Sequence, residues 1–186
     1  GSGAEAMQYL LLLVPMPPLA GFLLLALDPA RVARRTVILT AVLAGIAPAL
    51  LLIPLSIACL SGVCGEDTIA PIFTLVVGEA EVALAVGLDP LAAVAGITVA
   101  VVGACVLVYS IDYMADVETP DLRRFFALMN LFLAGMLAVV LAADSVLLFL
   151  GWELMGLCSF FLIAYYVTSP RAIAAGRKAF IITRVA

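Results

Sequence analysis

The chain has 186 residues, of which 66% are hydrophobic and 12% charged, with a formal net charge of −4. Soluble domains carry about 25% charged residues, so this composition excludes a soluble globular protein and marks an integral membrane protein. Histidine is absent, which leaves zinc, haem and imidazole-based catalysis almost without ligands or bases; no cofactor, metal or nucleic-acid partner is expected.

Gly1–Ser2–Gly3 reads as a linker remnant, so residues 1–6 are expected to precede a natural start at Met7. The first apolar stretch has no basic n-region and no small-residue cleavage site, and reads as a retained span. About 20 apolar residues cross the hydrocarbon core. On that measure the chain predicts spans at Tyr9–Leu27, Val37–Leu60, Pro90–Ile111, Phe125–Ala143 and Val146–Val167, with a sixth beginning near Ala179. The fold expected is therefore an all-α integral membrane protein. Two spans occupy residues 7–60, an outer loop residues 61–88, and the remaining spans residues 89–186.

Pro15, Pro17 and Pro18 must kink or break the first span, because proline lacks the backbone donor and clashes with the preceding turn; Pro48 and Pro54 disturb the second more mildly. Helix starts are predicted at Asp89–Pro90, Thr119–Pro120 and Ser169–Pro170, each pairing an N-cap oxygen with proline at the first helical position. Asp144–Ser145 leaves so short a turn that the fourth and fifth spans must be antiparallel neighbours.

Ser61–Leu88 is the one sizeable extramembrane segment. Its apolar runs Ile72–Val77 and Ala80–Leu88, separated by Gly78–Glu79, predict a small β-hairpin. Glu66, Asp67, Glu79 and Glu81 make this loop acidic, either a solvated edge or a funnel that collects cations. Cys59 and Cys64 flank it and are candidates for a disulfide; Cys105 and Cys158 fall within spans and read as small buried packing residues.

The basic residues set the expected topology. Arg31, Arg34, Arg35, Arg123, Arg124, Arg171, Arg177 and Lys178 all fall in the first, third and fifth loops, while the second loop and the Asp144 turn have none. The positive-inside rule then places the odd loops in the cytoplasm and the N-terminus outside, in a bacterial or archaeal inner membrane.

Glu153 is the chemically informative residue, a carboxylate inside the apolar run Val146–Val167. An ionisable group at mid-membrane costs about 2.5–3.5 kcal/mol on insertion scales, so it faces a protein interior or a water-filled path. Two readings stand: a carrier in proton or ion transfer, or a protonated Glu that merely bonds a neighbouring helix. Phe149, Gly156, Leu157 and Phe160 share its helical face. Apolar neighbours disfavour its ionised form and a nearby cation restores it, the balance a proton relay requires. Gly151 and Gly156 allow close helix approach or a water pocket. Arg184, about two turns beyond Lys178, either snorkels to the interface or pairs with an acid. Asp144 is read as a helix cap, with a role in proton entry as the weaker alternative. Asp112, Asp116, Glu118 and Asp121 share a loop with Arg123 and Arg124 and read as a solvated, salt-bridged surface.

Tyr109–Ser110–Ile111–Asp112–Tyr113–Met114, then Arg124–Phe125–Phe126, then Gly151–Trp152–Glu153–Leu154–Met155–Gly156–Leu157–Cys158–Ser159, and Lys178–Ala179–Phe180–Ile181 followed by Arg184–Val185, closely resemble the large antiporter-like subunit of respiratory complex I (NADH:quinone oxidoreductase). The order and spacing match over Asp89–Ala186; the earlier residues match by layout, including the outer hairpin. Related sequences occur in multisubunit sodium/proton antiporters, membrane-bound hydrogenases and inorganic-carbon uptake complexes. The resemblance implies a proton-translocating subunit with no redox centre of its own, in which Glu153 is the fifth-helix glutamate that pairs with a lysine on a later, broken helix, and Arg184 the sixth-helix arginine. Thr183 stands where the family usually has Asn, and Ala186 where it usually has Gly. The matched part covers only the opening portion of such a subunit, so the lysine-bearing helices are expected from elsewhere. The partners implied are the lipid bilayer, other membrane subunits, and protons or sodium ions. An assembly piece of another class, a helical bundle whose Glu153 only bonds a neighbour, stands beside it.

Overall fold

In a computed structural model, residues 2–27, 32–63, 68–77, 80–166 and 169–185 are described. Seven helices and one hairpin follow in chain order: α1 (Ser2–Leu13), α2 (Met16–Leu27), α3 (Arg34–Ala58), β1 (Ile69–Val77), β2 (Ala80–Gly87), α4 (Pro90–Tyr113), α5 (Thr119–Val140), α6 (Ser145–Ile163) and α7 (Pro170–Val185). Among the described residues, five stretches are helical, long and apolar enough to cross a membrane: Glu5–Leu27, Arg34–Gly62, Pro90–Tyr113, Thr119–Val140 and Ser145–Ile163. The chain is an all-α membrane protein with a small two-stranded sheet.

The prolines break the first span where expected. α1 stops at Leu13, Val14 and Pro15 turn, and α2 resumes with Pro17 and Pro18 in its first turn, where a missing N–H costs nothing. One stripe nevertheless runs through both halves: Met7, Leu11, Val14, Pro18, Gly21 and Leu25 are all buried. Its alternating steps of four and three residues keep those side chains on one side of a helix. α3 carries Pro48 and Pro54 inside an unbroken helix and ends in a π-helical turn, Cys59–Val63, where Gly62 takes a φ of 93°. Only glycine accepts that left-handed backbone readily.

α5 is the centre of the bundle and packs against α2, α3, α4 and α6. Leu122, Phe126, Leu133 and Leu137 form its buried face, with Asn130 among them. Asn130 is fully buried; its Nδ2 donates to the carbonyls of Ala41 in α3 (3.3 Å) and Phe126 (2.9 Å). Gly21 of α2 leaves room for the amide: a Cβ there would stand 3.1 Å from Asn130 Oδ1 and 2.6 Å from Ala44 Cβ.

At one end of the bundle lies the hairpin. β1 and β2 pair antiparallel from Ile69↔Gly87 to Val77↔Ala80, with a bulge between Pro71 and Phe73. Proline has no N–H to give a ladder, so the irregularity falls where the sequence allows it. The free edge of β2 is covered at its end, Ala85–Gly87, by the turn between α5 and α6. Gly87 N–H donates to Leu141 O (2.8 Å) and Ala143 N–H to Ala85 O (2.9 Å). That cover removes an exposed edge. Thr68 Oγ1 donates to Leu88 O (3.0 Å) at the hairpin base.

At the opposite end, arginines cap helix C-termini, where carbonyls lack partners and the dipole favours cations. Arg34 donates to Val117 O (2.6 Å) and Met114 O (2.8 Å), clasping the end of α4. Arg124 donates to Tyr165 O (2.9 Å) past the end of α6, lies 4.9 Å from the centre of the Tyr165 ring, and pairs with Asp121 at 3.6 Å.

Several sequence expectations need correction. α7 begins at Pro170, as Ser169–Pro170 predicts, so the residues expected near Ala179 as the start of a sixth span lie within this helix, after first turns that carry the exposed Arg171, Arg177 and Lys178. α5 begins at Thr119, so Thr119 is the first helical residue and Glu118 the flanking one, without a side-chain cap. Cys105 is exposed, since α4 buries only a narrow stripe; Cys158 is buried as expected. Cys59 is disulfide-bonded, while Cys64, the expected partner, and Glu66, Asp67, Gly78 and Glu79 lie outside the described residues.

Candidate functional site

The site is built on α6 and α7. Asp144 starts α6, its side chain accepting from Val146 N–H and Leu147 N–H, both at 2.8 Å. One of those bonds suffices for an N-cap. Further along, Gly151 presses the helix onto α5: a Cβ at Gly151 would stand 3.0 Å from Gly135 O, Val139 N and Val139 Cγ2. Glu153 is two residues beyond Gly151, about 200° around the helix at 3.6 residues per turn, so it points away from α5.

α7 occupies the side to which Glu153 turns. Ser169 caps it, accepting from Ala172 N–H at 3.4 Å, and Pro170 follows at the first helical position. Gly176 lets α7 close on the end of α6, since a Cβ there would stand 2.9 Å from Ala164 Cβ and 3.3 Å from Phe160 O. The Phe160 and Phe180 rings meet with centroids 5.4 Å apart. One turn past Phe180, Arg184 lies 4.8 Å from the centre of that ring.

Arg184 and Glu153 form an ion pair, Nη1 to Oε2, and Arg184 Nη2 also donates to Glu153 O at 3.3 Å. The side chains are 27% and 35% exposed respectively. Glu153 is the ninth residue of a 19-residue helix, so the pair sits midway along the span. Gly156 lies beside the guanidinium; a Cβ there would stand 3.6 Å from Nη2, an ordinary contact. Trp152, Phe149 and Leu157 are exposed around the pair. The resulting arrangement is a carboxylate and a permanently charged guanidinium in an apolar setting. Protonation of the carboxylate would remove the attraction that holds the pair.

The structure thus brings Glu153 and Arg184 together and keeps Asp144 apart, at the hairpin end of α6. Asp144 makes one contact that sequence reasoning missed: its Oδ2 accepts from Ala85 N–H of β2 at 2.7 Å. Asn130 was missed too. Its signal, a lone amide inside the apolar run from Phe125 to Val140, was in plain view. Among the described residues no three His, Cys, Asp or Glu side chains converge as metal ligands.

Comparisons with known proteins match two family models. Residues 74–126 match the N-terminal model of chain 5 of NADH-ubiquinone oxidoreductase (complex I), and residues 142–186 match the transmembrane model of NADH:quinone oxidoreductase and Mrp antiporters. NADH-quinone oxidoreductase subunit L of Mycobacterium tuberculosis is 50% identical over 84 residues, 45% of this chain and 13% of that protein. The Escherichia coli subunit L is 42% identical over 123 residues, 65% of this chain and 20% of the relative. Subunit 5 of the chloroplast NAD(P)H-quinone oxidoreductase of Ipomoea purpurea is 42% identical over 98 residues, 53% of this chain and 14% of its own length. Among solved structures, a chain of the membrane-bound sulfane sulfur reductase, an archaeal respiratory membrane complex, superposes with a TM-score of 0.66 at 26% identity, over 91% of this chain and 24% of that one. The chain spans between 13% and 20% of the length of these curated relatives.

Proposed function

Because this chain belongs to the family of antiporter-like membrane subunits of complex I and its relatives, we propose that it is a proton-translocating part of a multisubunit membrane complex. Glu153 takes up and releases the proton, and Arg184 is its charge partner. The observation that carries this reading is the ion pair between them at the middle of α6. An acid beside one cation in an apolar setting has two states, ionised and paired or protonated and released, with the cation favouring the first and desolvation the second. Movement of a second cation toward Glu153 shifts that balance. The family resemblance supplies such a cation, a lysine on a broken helix contributed from outside these residues. Other membrane subunits complete the path, and the Arg34, Arg124 and Arg171 end of the bundle faces the cytoplasm.

The experiment is proton uptake by sealed vesicles holding the assembled complex, normalised to its amount. Glu153→Gln keeps shape and hydrogen bonding but cannot titrate, and it is expected to assemble and lose most of the uptake. Glu153→Asp retains an acid on a shorter arm and is expected to keep part of it. Undiminished uptake with Gln would reduce Glu153 to a structural bond and leave the chain an assembly piece.

A further inference from the structure

Asp144 divides its carboxylate between two elements. Oδ1 caps α6 through Val146 and Leu147, and Oδ2 takes the N–H of Ala85 in β2. The cap accounts for one oxygen only. The second bond joins the first residue before α6 to the hairpin, alongside the ladder bonds that run from Gly87 to Leu141 and from Ala143 to Ala85. Both oxygens are charged acceptors, and charge-assisted bonds are roughly twice as strong as neutral ones.

Beyond its first turn α6 is held against α5 at Gly151 and against α7 near its far end; along its length only Gly151 and Cys158 are buried, so the depth of its first turn depends on the Asp144 bonds. Glu153 lies nine residues beyond Asp144, about 13 Å at 1.5 Å per residue. A helix is stiff along its axis, so a shift at its first turn reaches Glu153 undiminished. We propose that Asp144 is a positioning residue for Glu153: its bond to Ala85 anchors α6 to the hairpin and sets the depth at which the Glu153 carboxylate stands in the bundle. This inference rests on the reading of Glu153 as the proton carrier.

Substitution separates the anchor from the cap. Asparagine and serine cap helices about as well as aspartate. The amide NH2 of Asp144→Asn would face the Ala85 N–H, donor against donor, and the hydroxyl of Asp144→Ser is too short to reach it. Both variants therefore keep the cap and lose the anchor, whereas Asp144→Ala loses both. Ala85→Pro removes the same bond from the other side, and Ala85 faces a residue without an N–H, Pro71, across the hairpin.

The measurement is the pH profile of proton uptake per assembled complex, in vesicles containing the intact complex. The Asn, Ser and Pro variants are expected to assemble near the wild-type level, with a displaced pH profile and a large loss of uptake. Asp144→Ala is expected to lose assembly as well. A wild-type pH profile in the Asn and Ser variants would overturn the proposal, as would assembly as poor as that of the Ala variant, which would make the bond a folding contact alone. If Glu153→Gln abolishes uptake while Asp144→Asn behaves as wild type, only the positioning role fails. If Glu153→Gln translocates normally, the carrier reading itself fails.

Discussion

Gly151 of α6 lies so close to Gly135 of α5 that a Cβ on Gly151 would stand 3.0 Å from the Gly135 carbonyl oxygen. That contact is backbone against backbone, which no rotamer change relieves. It also orients the site, since pressing Gly151 onto α5 turns Glu153 toward α7. Gly151→Leu is therefore expected to cost about 1–3 kcal/mol, the range for overpacked interiors, and to lower the amount of assembled complex. Gly156→Ala, whose Cβ would make only an ordinary 3.6 Å contact with Arg184 Nη2, is expected to assemble normally. Thermal stability of the purified complex distinguishes the two, and equal stability would show that the helix interface yields.

Asn130 holds α3 and α5 together through Ala41 O, its Nδ2 also donating to the carbonyl of Phe126 while its Oδ1 faces Gly21 of α2. Hydrogen bonds between membrane helices average about 0.6 kcal/mol, so Asn130→Leu is expected to be tolerated. Asn130→Asp is different, because a carboxylate would face two carbonyl acceptors. Forcing that charge into the membrane costs about 2.5–3.5 kcal/mol, and the Asp variant is expected to unfold well below the Leu variant. A reversed order would mean that the amide does more than bridge two helices.

The Glu153–Arg184 pair predicts a non-additive pair of substitutions. Arg184→Gln leaves the Glu153 carboxylate in an apolar setting without that partner, the costly half-pair. Adding Glu153→Gln removes the stranded charge, so the double variant is expected to be more stable than Arg184→Gln alone, with a coupling of about 0.5–3 kcal/mol. Melting of the four proteins closes the cycle, and strict additivity would show that the pair is energetically idle.

Orientation is tested by chemical labelling. Thr74 is exposed on β1, and Thr74→Cys, made with Cys105 and Cys158 replaced, is expected to react with a membrane-impermeant maleimide applied from outside intact cells. Reaction only after permeabilisation would invert the topology.

The spans and the hairpin were legible because apolar length and alternation are local properties, and so were the caps at Asp89, Asp144 and Ser169. Asp89 accepts from Ala92 N–H at 2.6 Å, as its Asp–Pro sequence predicts. Hydropathy alone places the apolar part of α7 near Ala179, because Arg171, Arg177 and Lys178 lie in its first turns, but the Ser169–Pro170 pair marks where the helix starts. Thr119–Pro120 likewise marks the start of α5 to within one residue, although Asp121, Arg123 and Arg124 keep its apolar run from beginning before Phe125. The site was half legible. Glu153 stands out by cost alone, and Arg184 lay open between snorkelling and pairing until α7 was seen to pack on α6. The Asp144–Ala85 bond joins residues 59 apart in sequence, and no local pattern encodes such a contact.

Infrared difference spectroscopy of the intact complex, energised minus resting, observes the protonation state of Glu153 directly. If Glu153 carries the proton, a carboxylic-acid carbonyl band is expected that changes between the two states, shifts in heavy water and is missing from Glu153→Gln. A difference spectrum in which the wild type and the Gln variant share every carboxyl band would contradict that role.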